Sequence, residues 1–120
     1  MGENSNAKVE ISFLKSVAVV SASGKLDLSD CNMLQAVVDS LGADSLEVVF
    51  DLIEISYLDT EVLKTIDMCS RDIIERGGRV AMAVPGGIPE KMFSLTNMDQ
   101  QYTVRPDLST AVQHLATFCQ

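Results

Sequence analysis

The chain has 120 residues, 47% of them apolar and 22% charged, which are the values of one ordinary globular domain and not of a disordered chain. Its formal net charge of −8 argues against nucleic acid and against anionic lipid surfaces, which both call for clustered Lys and Arg. The same acidity suits solubility and a partner with a basic surface.

Residues 1–7 are polar and are expected to form a tail ahead of a domain over 8–120. They lack the basic and apolar regions of a signal peptide, and Gly2 followed by Asn6 does not satisfy the myristoylation pattern. No apolar run approaches the roughly 18 residues of a membrane span, so a cytoplasmic location is expected.

Val9, Ile11 and Phe13 alternate with polar neighbours, which predicts a half-buried strand. Val17–Val20 predicts a second one, joined to the first through Lys15-Ser16 as a hairpin, with Gly24 breaking the pattern. Ser29 is placed to cap a helix whose inner residues are Met33, Leu34, Val37, Val38 and Leu41, with Gly42 as its stop.

Leu46–Leu52 is a nearly continuous apolar run, the pattern of a strand covered on both faces, and Ile53–Leu58 is expected to be a loop. The strongest periodicity follows, predicting a helix over Thr60–Arg76. Val62, Ile66, Cys69 and Ile73, with Leu63 and Ile74 beside them, form its inner stripe. Asp67–Arg71 and Asp72–Arg76 stand at i, i+4 on its outer face, and Gly77-Gly78 ends it.

Arg79–Val84 predicts another buried strand, stopped by Pro85-Gly86-Gly87. A short helix over Pro89–Leu95, a brief strand at Tyr102–Val104 and a closing helix capped by Asp107 complete the order. The closing helix turns Leu108, Ala111, Val112, Leu115 and Phe118 inward. Strands alternating with helices in this way predict an α/β fold: one mixed, mostly parallel sheet of about five strands with four helices.

Chemistry-bearing constellations are absent. There is no GxGxxG, no GxxxxGK[ST] and no GxSxG, and a lone His114 cannot complete a triad. Cys31, Cys69 and Cys119 are too far apart in sequence for a CxxC pair, and Cys31 and Cys69 fit reduced, mostly buried thiols. No metal site and no cofactor are expected. A response-regulator receiver would need an acidic pair just after the first strand, where this chain has Phe13-Leu14-Lys15. A binding protein, not an enzyme, is the expectation.

The segment Val48–Thr60, reading VVFDLIEISYLDT, resembles the STAS domains of bacterial anti-sigma-factor antagonists. Their pattern is a buried strand ending in Asp-Leu, a short loop with an apolar-aromatic pair, and Asp-Ser-Ser-Gly opening a helix. Gly24-Lys25-Leu26-Asp27 looks like the family's Gly-x-Leu-Asp, and Arg76–Val80 resembles its Gly-Gly before a strand. Phe93–Met98 stands where the family has Leu-x-x-x-Gly-Leu. The likeness spans residues 8 to 116.

That resemblance implies a partner-switching regulator. It would bind a histidine-kinase-like Ser/Thr kinase or an anti-sigma factor when unmodified, be released by phosphorylation, and be reset by a PP2C-type phosphatase. It places the phosphoacceptor at Thr60, with Asp59 positioning its hydroxyl. A partner-binding set is expected at Asp59, Thr60, Glu61 and Lys64, with Met92, Phe93 and Leu95 as the alternative apolar extension of it beside the helix. Here Glu61 and Val62 follow the acceptor in place of Ser-Gly; a Thr acceptor without the glycine is similar to stressosome scaffold proteins. The local chemistry leaves Thr60 a second role as the helix cap, with Asp59 as the other candidate for it. Two other functions stay open: a non-phosphorylated structural STAS subunit of a scaffold or transporter complex, and a small-molecule or lipid sensor. Met68, Met82, Met92 and Met98 are expected to fill the core.

Overall fold

The computed structural model describes residues 7–42 and 47–117. In chain order they form β1 (Lys8–Leu14), β2 (Val17–Leu26), α1 (Cys31–Asp39), β3 (Glu47–Leu58) and α2 (Thr60–Glu75). Then come β4 (Arg79–Ala83), α3 (Ile88–Leu95), α4 (Met98–Gln101), β5 (Thr103–Arg105) and α5 (Leu108–Thr117). A 3-10 turn at Leu28–Asp30 leads into α1. The expected strand start at Leu46, and Phe118 and Cys119, lie outside the described residues, as does the tail apart from Ala7.

The strands form one sheet in the order β1-β2-β3-β4-β5. β1 pairs antiparallel with β2 through the Lys15-Ser16 hairpin, and every other neighbour is parallel. This is the mixed, mostly parallel α/β sheet that the alternation predicts, with four substantial helices; α4, a single turn, is additional. Each parallel pair needs a crossover, and the packing shows where the crossovers lie. Leu34 and Val38 of α1, five apolar residues of α2, Phe93 of α3 and Met98 of α4 share one core with Ala18, Val20, Val48, Phe50, Leu52, Val80 and Met82. The opposite face is built from Val17, Val19, Val49, Ala81 and Ala83, covered by Ala111, Val112 and Leu115 of α5. The near-continuous apolar run of β3 is thus explained: successive side chains enter different cores.

Several boundaries differ from the sequence expectation. β2 runs through Gly24, whose φ of 82° accommodates a bulge there, so the glycine bends the strand instead of ending it. β3 continues through the expected loop Ile53–Leu58, because Glu54, Ile55, Tyr57 and Leu58 pair with Ser23, Gly24, Lys25 and Leu26 of β2. Ser29 does not cap α1. Asp27 caps the 3-10 turn instead, and Ser29 donates to it from both N and Oγ, at 3.0 and 2.6 Å.

α2 matches its predicted span and ends as the glycines require. Gly77 takes φ 92°, its N–H reaches Ile74 O, and Gly78 N reaches Ile73 O at 2.9 Å, a Schellman closure. Its ion pairs Asp67–Arg71 and Asp72–Arg76 form at 3.2 and 3.3 Å. On its inner face Ser70 is buried while Ile74 is exposed, so the stripe turns slightly from the expected one. Met68 is also exposed and Phe13 projects from the hairpin tip; neither is core. Met82 and Met98 are buried as expected, and Met92 is half-buried. Cys69 is buried, and that burial, with Asp39 and Asp72 nearby, pushes its thiol up to about 11, so it stays protonated. Cys31 is half-buried, and both thiols are free.

Candidate functional site

The paired ends of β2 and β3 build the site. β4 matches β3 only from Glu47 to Asp51, whereas β2 accompanies β3 as far as Leu26↔Leu58. The β2–β3 ribbon therefore outruns β4, and the residues just past its end, Asp27-Leu28 and Asp59-Thr60, emerge side by side at the carboxyl ends of the parallel strands. Open α/β sheets commonly carry their binding surfaces in that place.

Asp59 is the N-cap of α2, in extended backbone with φ −105° and ψ 173°. Its Oδ1 accepts from Val62 N at 3.1 Å, and its carbonyl accepts from Leu63 N at 3.2 Å. Its Oδ2 accepts from Leu28 N at 3.1 Å, tying the 3-10 turn to the helix start. Thr60 is thus not the cap. It is the first helical residue, exposed, and its hydroxyl has no hydrogen-bond partner among the described residues. Glu61 and Lys64 are exposed and pair along the helix at 3.4 Å, while Thr65 Oγ1 donates back to Glu61 O.

Two apolar side chains frame this end of the molecule. Leu28 is 64% exposed on the 3-10 turn, and Tyr57 is 47% exposed at the end of β3. Lys25 Nζ sits 5.5 Å from the Tyr57 ring centroid, a cation–π distance. The turn that presents Leu28 is rigid in itself: Asp27 N donates to Asp30 Oδ2 at 2.9 Å, completing a capping box. The Ser29 donors hold the Asp27 carboxyl below its usual range.

Asp59, Thr60, Glu61 and Lys64 thus share the first turns of α2. Met92 and Phe93 lie elsewhere, on α3. Phe93 is 1% exposed and belongs to the large core, which corrects its expected place on a partner-facing surface. Met92 packs half-buried against the same core. The apolar residues that α3 does expose are Ile88 and Leu95. Reading Ser29 as the cap hides Leu28; the sequence signal for it is Asp27-x-x-Asp30, a capping box whose turn leaves its second residue outside.

The site contains no nucleophile–base pair, and among the described residues no group of acids, His and Cys is arranged to hold a metal. Its chemistry is that of a hydroxyl and charges presented on a surface.

The STAS domain family model matches residues 8–111. The chain belongs to the STAS domain family. Solved structures agree in fold. An anti-sigma factor antagonist from Mycobacterium paratuberculosis superposes with a TM-score of 0.81 at 23% identity, covering 95% of this chain and 97% of that one. An anti-sigma-factor antagonist (STAS) domain protein from Planctomyces limnophilus gives 0.75 at 15% identity, covering 90% and 97%. The antagonist SpoIIAA in its unphosphorylated form gives 0.67 at 12% identity over 90% and 97%. No curated protein matches the sequence. At these identities the structures establish the STAS fold, with Asp59-Thr60 at the start of its second helix.

Proposed function

We propose that this STAS domain is an anti-sigma-factor-antagonist-type regulator of the cytoplasm that acts by binding and is switched by phosphorylation of Thr60. The observation that carries it is the Thr60 hydroxyl, exposed and uncommitted beside an Asp59 that takes over the capping role. A kinase needs an acceptor oxygen that is free of internal bonds and lies on a surface it can cover. Thr60 Oγ attacks the γ-phosphorus of ATP, ADP leaves, and the hydroxyl proton passes to the kinase; a PP2C-type phosphatase reverses the state with water, releasing inorganic phosphate.

The consequence is electrostatic. A phosphate brings a charge of about −1.5 to −2 next to Asp59 and Glu61. A kinase or anti-sigma factor docked over Thr60, Leu28 and Tyr57 then meets a charge that it must desolvate, and it leaves without any large refolding. Glu61 is drawn along the helix toward Lys64, so its own charge is partly compensated and it tunes the site without imitating the phosphate. The antagonist names of the structural neighbours support the same role.

The test is intact mass after incubation with the cognate kinase and Mg-ATP. One phosphate is expected on the wild type and on Thr60→Ser, and none on Thr60→Ala. Phosphate mapped instead to the exposed Ser56 would overturn the assignment.

A further inference from the structure

The carboxylate of Asp59 has two hands. Oδ1 holds Val62 N in the first turn of α2 and Oδ2 holds Leu28 N in the turn between β2 and α1, each at 3.1 Å. The Leu28 turn keeps its own shape through Asp27, Ser29 and Asp30. The bond to Asp59 therefore fixes where the turn sits against α2, not how it is folded. Leu28, 64% exposed, rides on that turn.

We propose that phosphate on Thr60 releases the Leu28 turn by displacing Asp59 from its two amide partners, so that Leu28 is part of the regulated surface. This rests on Thr60 being the phosphoacceptor. The phosphoryl group comes from ATP, with ADP leaving and the hydroxyl proton lost. The resulting phosphate stands one residue from Asp59, at the positive end of α2. It has three acceptor oxygens and the larger charge, so it is the better ligand for the N–H groups at that end. The two anions repel each other across a short gap. One carboxylate makes both bonds in one geometry, so leaving Val62 N also means leaving Leu28 N. Glu61, paired with Lys64, makes no such bond to the turn.

The experiment installs phosphothreonine at position 60 during synthesis, with no kinase involved, and follows amide exchange by NMR. Leu28 N–H should exchange about tenfold faster in the phosphorylated protein, the scale of one lost bond to a charged acceptor. Ser29 N–H, held by Asp27, should be unaffected. Asp59→Ala should speed Leu28 exchange before any phosphate is added, with no further gain after it. Asp59→Asn keeps one acceptor oxygen of the two, so it cannot hold the Leu28 and Val62 amides together, and one of them should exchange faster before any phosphate is added. Unchanged Leu28 exchange on phosphorylation, or a further gain on phosphorylation in Asp59→Ala, would overturn the coupling. A kinase that never modifies Thr60 would sink the function proposed above and leave this result standing.

Discussion

At the start of α5, Asp107 accepts from Thr110 N at 2.8 Å, and the Thr110 hydroxyl returns to the same carboxylate at 2.9 Å. At the start of α2, Asp59 also accepts from the N–H three residues on, but its second oxygen leaves for Leu28 N and the Thr60 hydroxyl faces solvent. The difference lies in spacing. A hydroxyl three residues after the cap lies over the cap and is absorbed by it; a hydroxyl one residue after the cap points away. Ser29, two residues after Asp27, is absorbed as Thr110 is. Of Ser29, Thr60 and Thr110, Thr60 is the one whose hydroxyl is not held by its capping aspartate.

The largest effect should come from removing the caps. Asp59→Ala breaks two bonds that join separate elements and should cost about 2 kcal/mol, the upper end for a lost cap. Asp107→Ala affects only its own turn and should cost clearly less. Urea unfolding of both variants checks this, and equal losses would erase the distinction between a cap that bridges and one that does not.

The hydroxyls should follow the reverse order. Thr110→Ala removes a bonded hydroxyl and should cost about 1 kcal/mol. Thr60→Ala should stay within about 0.5 kcal/mol, as an exposed substitution with no partner does. A larger loss at Thr60 would mean that its hydroxyl is committed after all. Circular dichroism melts of the pair suffice.

The smallest expected effect is in pH, because α5 carries an anchor that the start of α2 lacks. His114 Nδ1 accepts from Arg105 Nη2 at 3.4 Å, and its Nε2 meets Thr103 Oγ1 at 3.3 Å. Burial first, then the charges of Arg105 and Arg79, hold this imidazole below its ordinary value. The unfolded chain takes up the proton near pH 6.5, and the folded protein does so only at lower pH. This contribution is therefore complete above about 6.5 and is lost as pH falls toward the folded value. The urea midpoint should drop between about pH 7.5 and 5.5, and His114→Gln should flatten that drop. A steeper drop in the variant would contradict it.

What could be read from the sequence divides along the range of the forces involved. α2 came out at nearly its observed span because its stripe, its i, i+4 pairs and its terminal glycines are all local. The second half of β3 did not, because Glu54, Ser56 and Tyr57 look like a loop until β2 is known to run beside them. Phe93 and Met68 were exchanged between inside and outside for a related reason. Periodicity says that an apolar residue has a face, while only the packed neighbours say whether that face is covered. At the site, Asp59-Thr60 was legible as a helix start. Which of the two caps the helix depended on the Leu28 amide, 31 residues away.

The order of the strands in the sheet is their order in the chain. Each pairing closes over the nearest stretch of sequence, so the sheet can grow from one edge as the chain emerges from the ribosome, with little entropy lost to long loops. Among the described elements α5 arrives last, so Val17, Val19, Val49, Ala81 and Ala83 stay wet until it docks. These are small side chains, each exposing little apolar area. The bulky ones, Phe50, Leu52 and Met82, lie on the face that α1 and α2 close earlier. The surface bare for longest during synthesis is therefore the one least able to capture another unfinished chain.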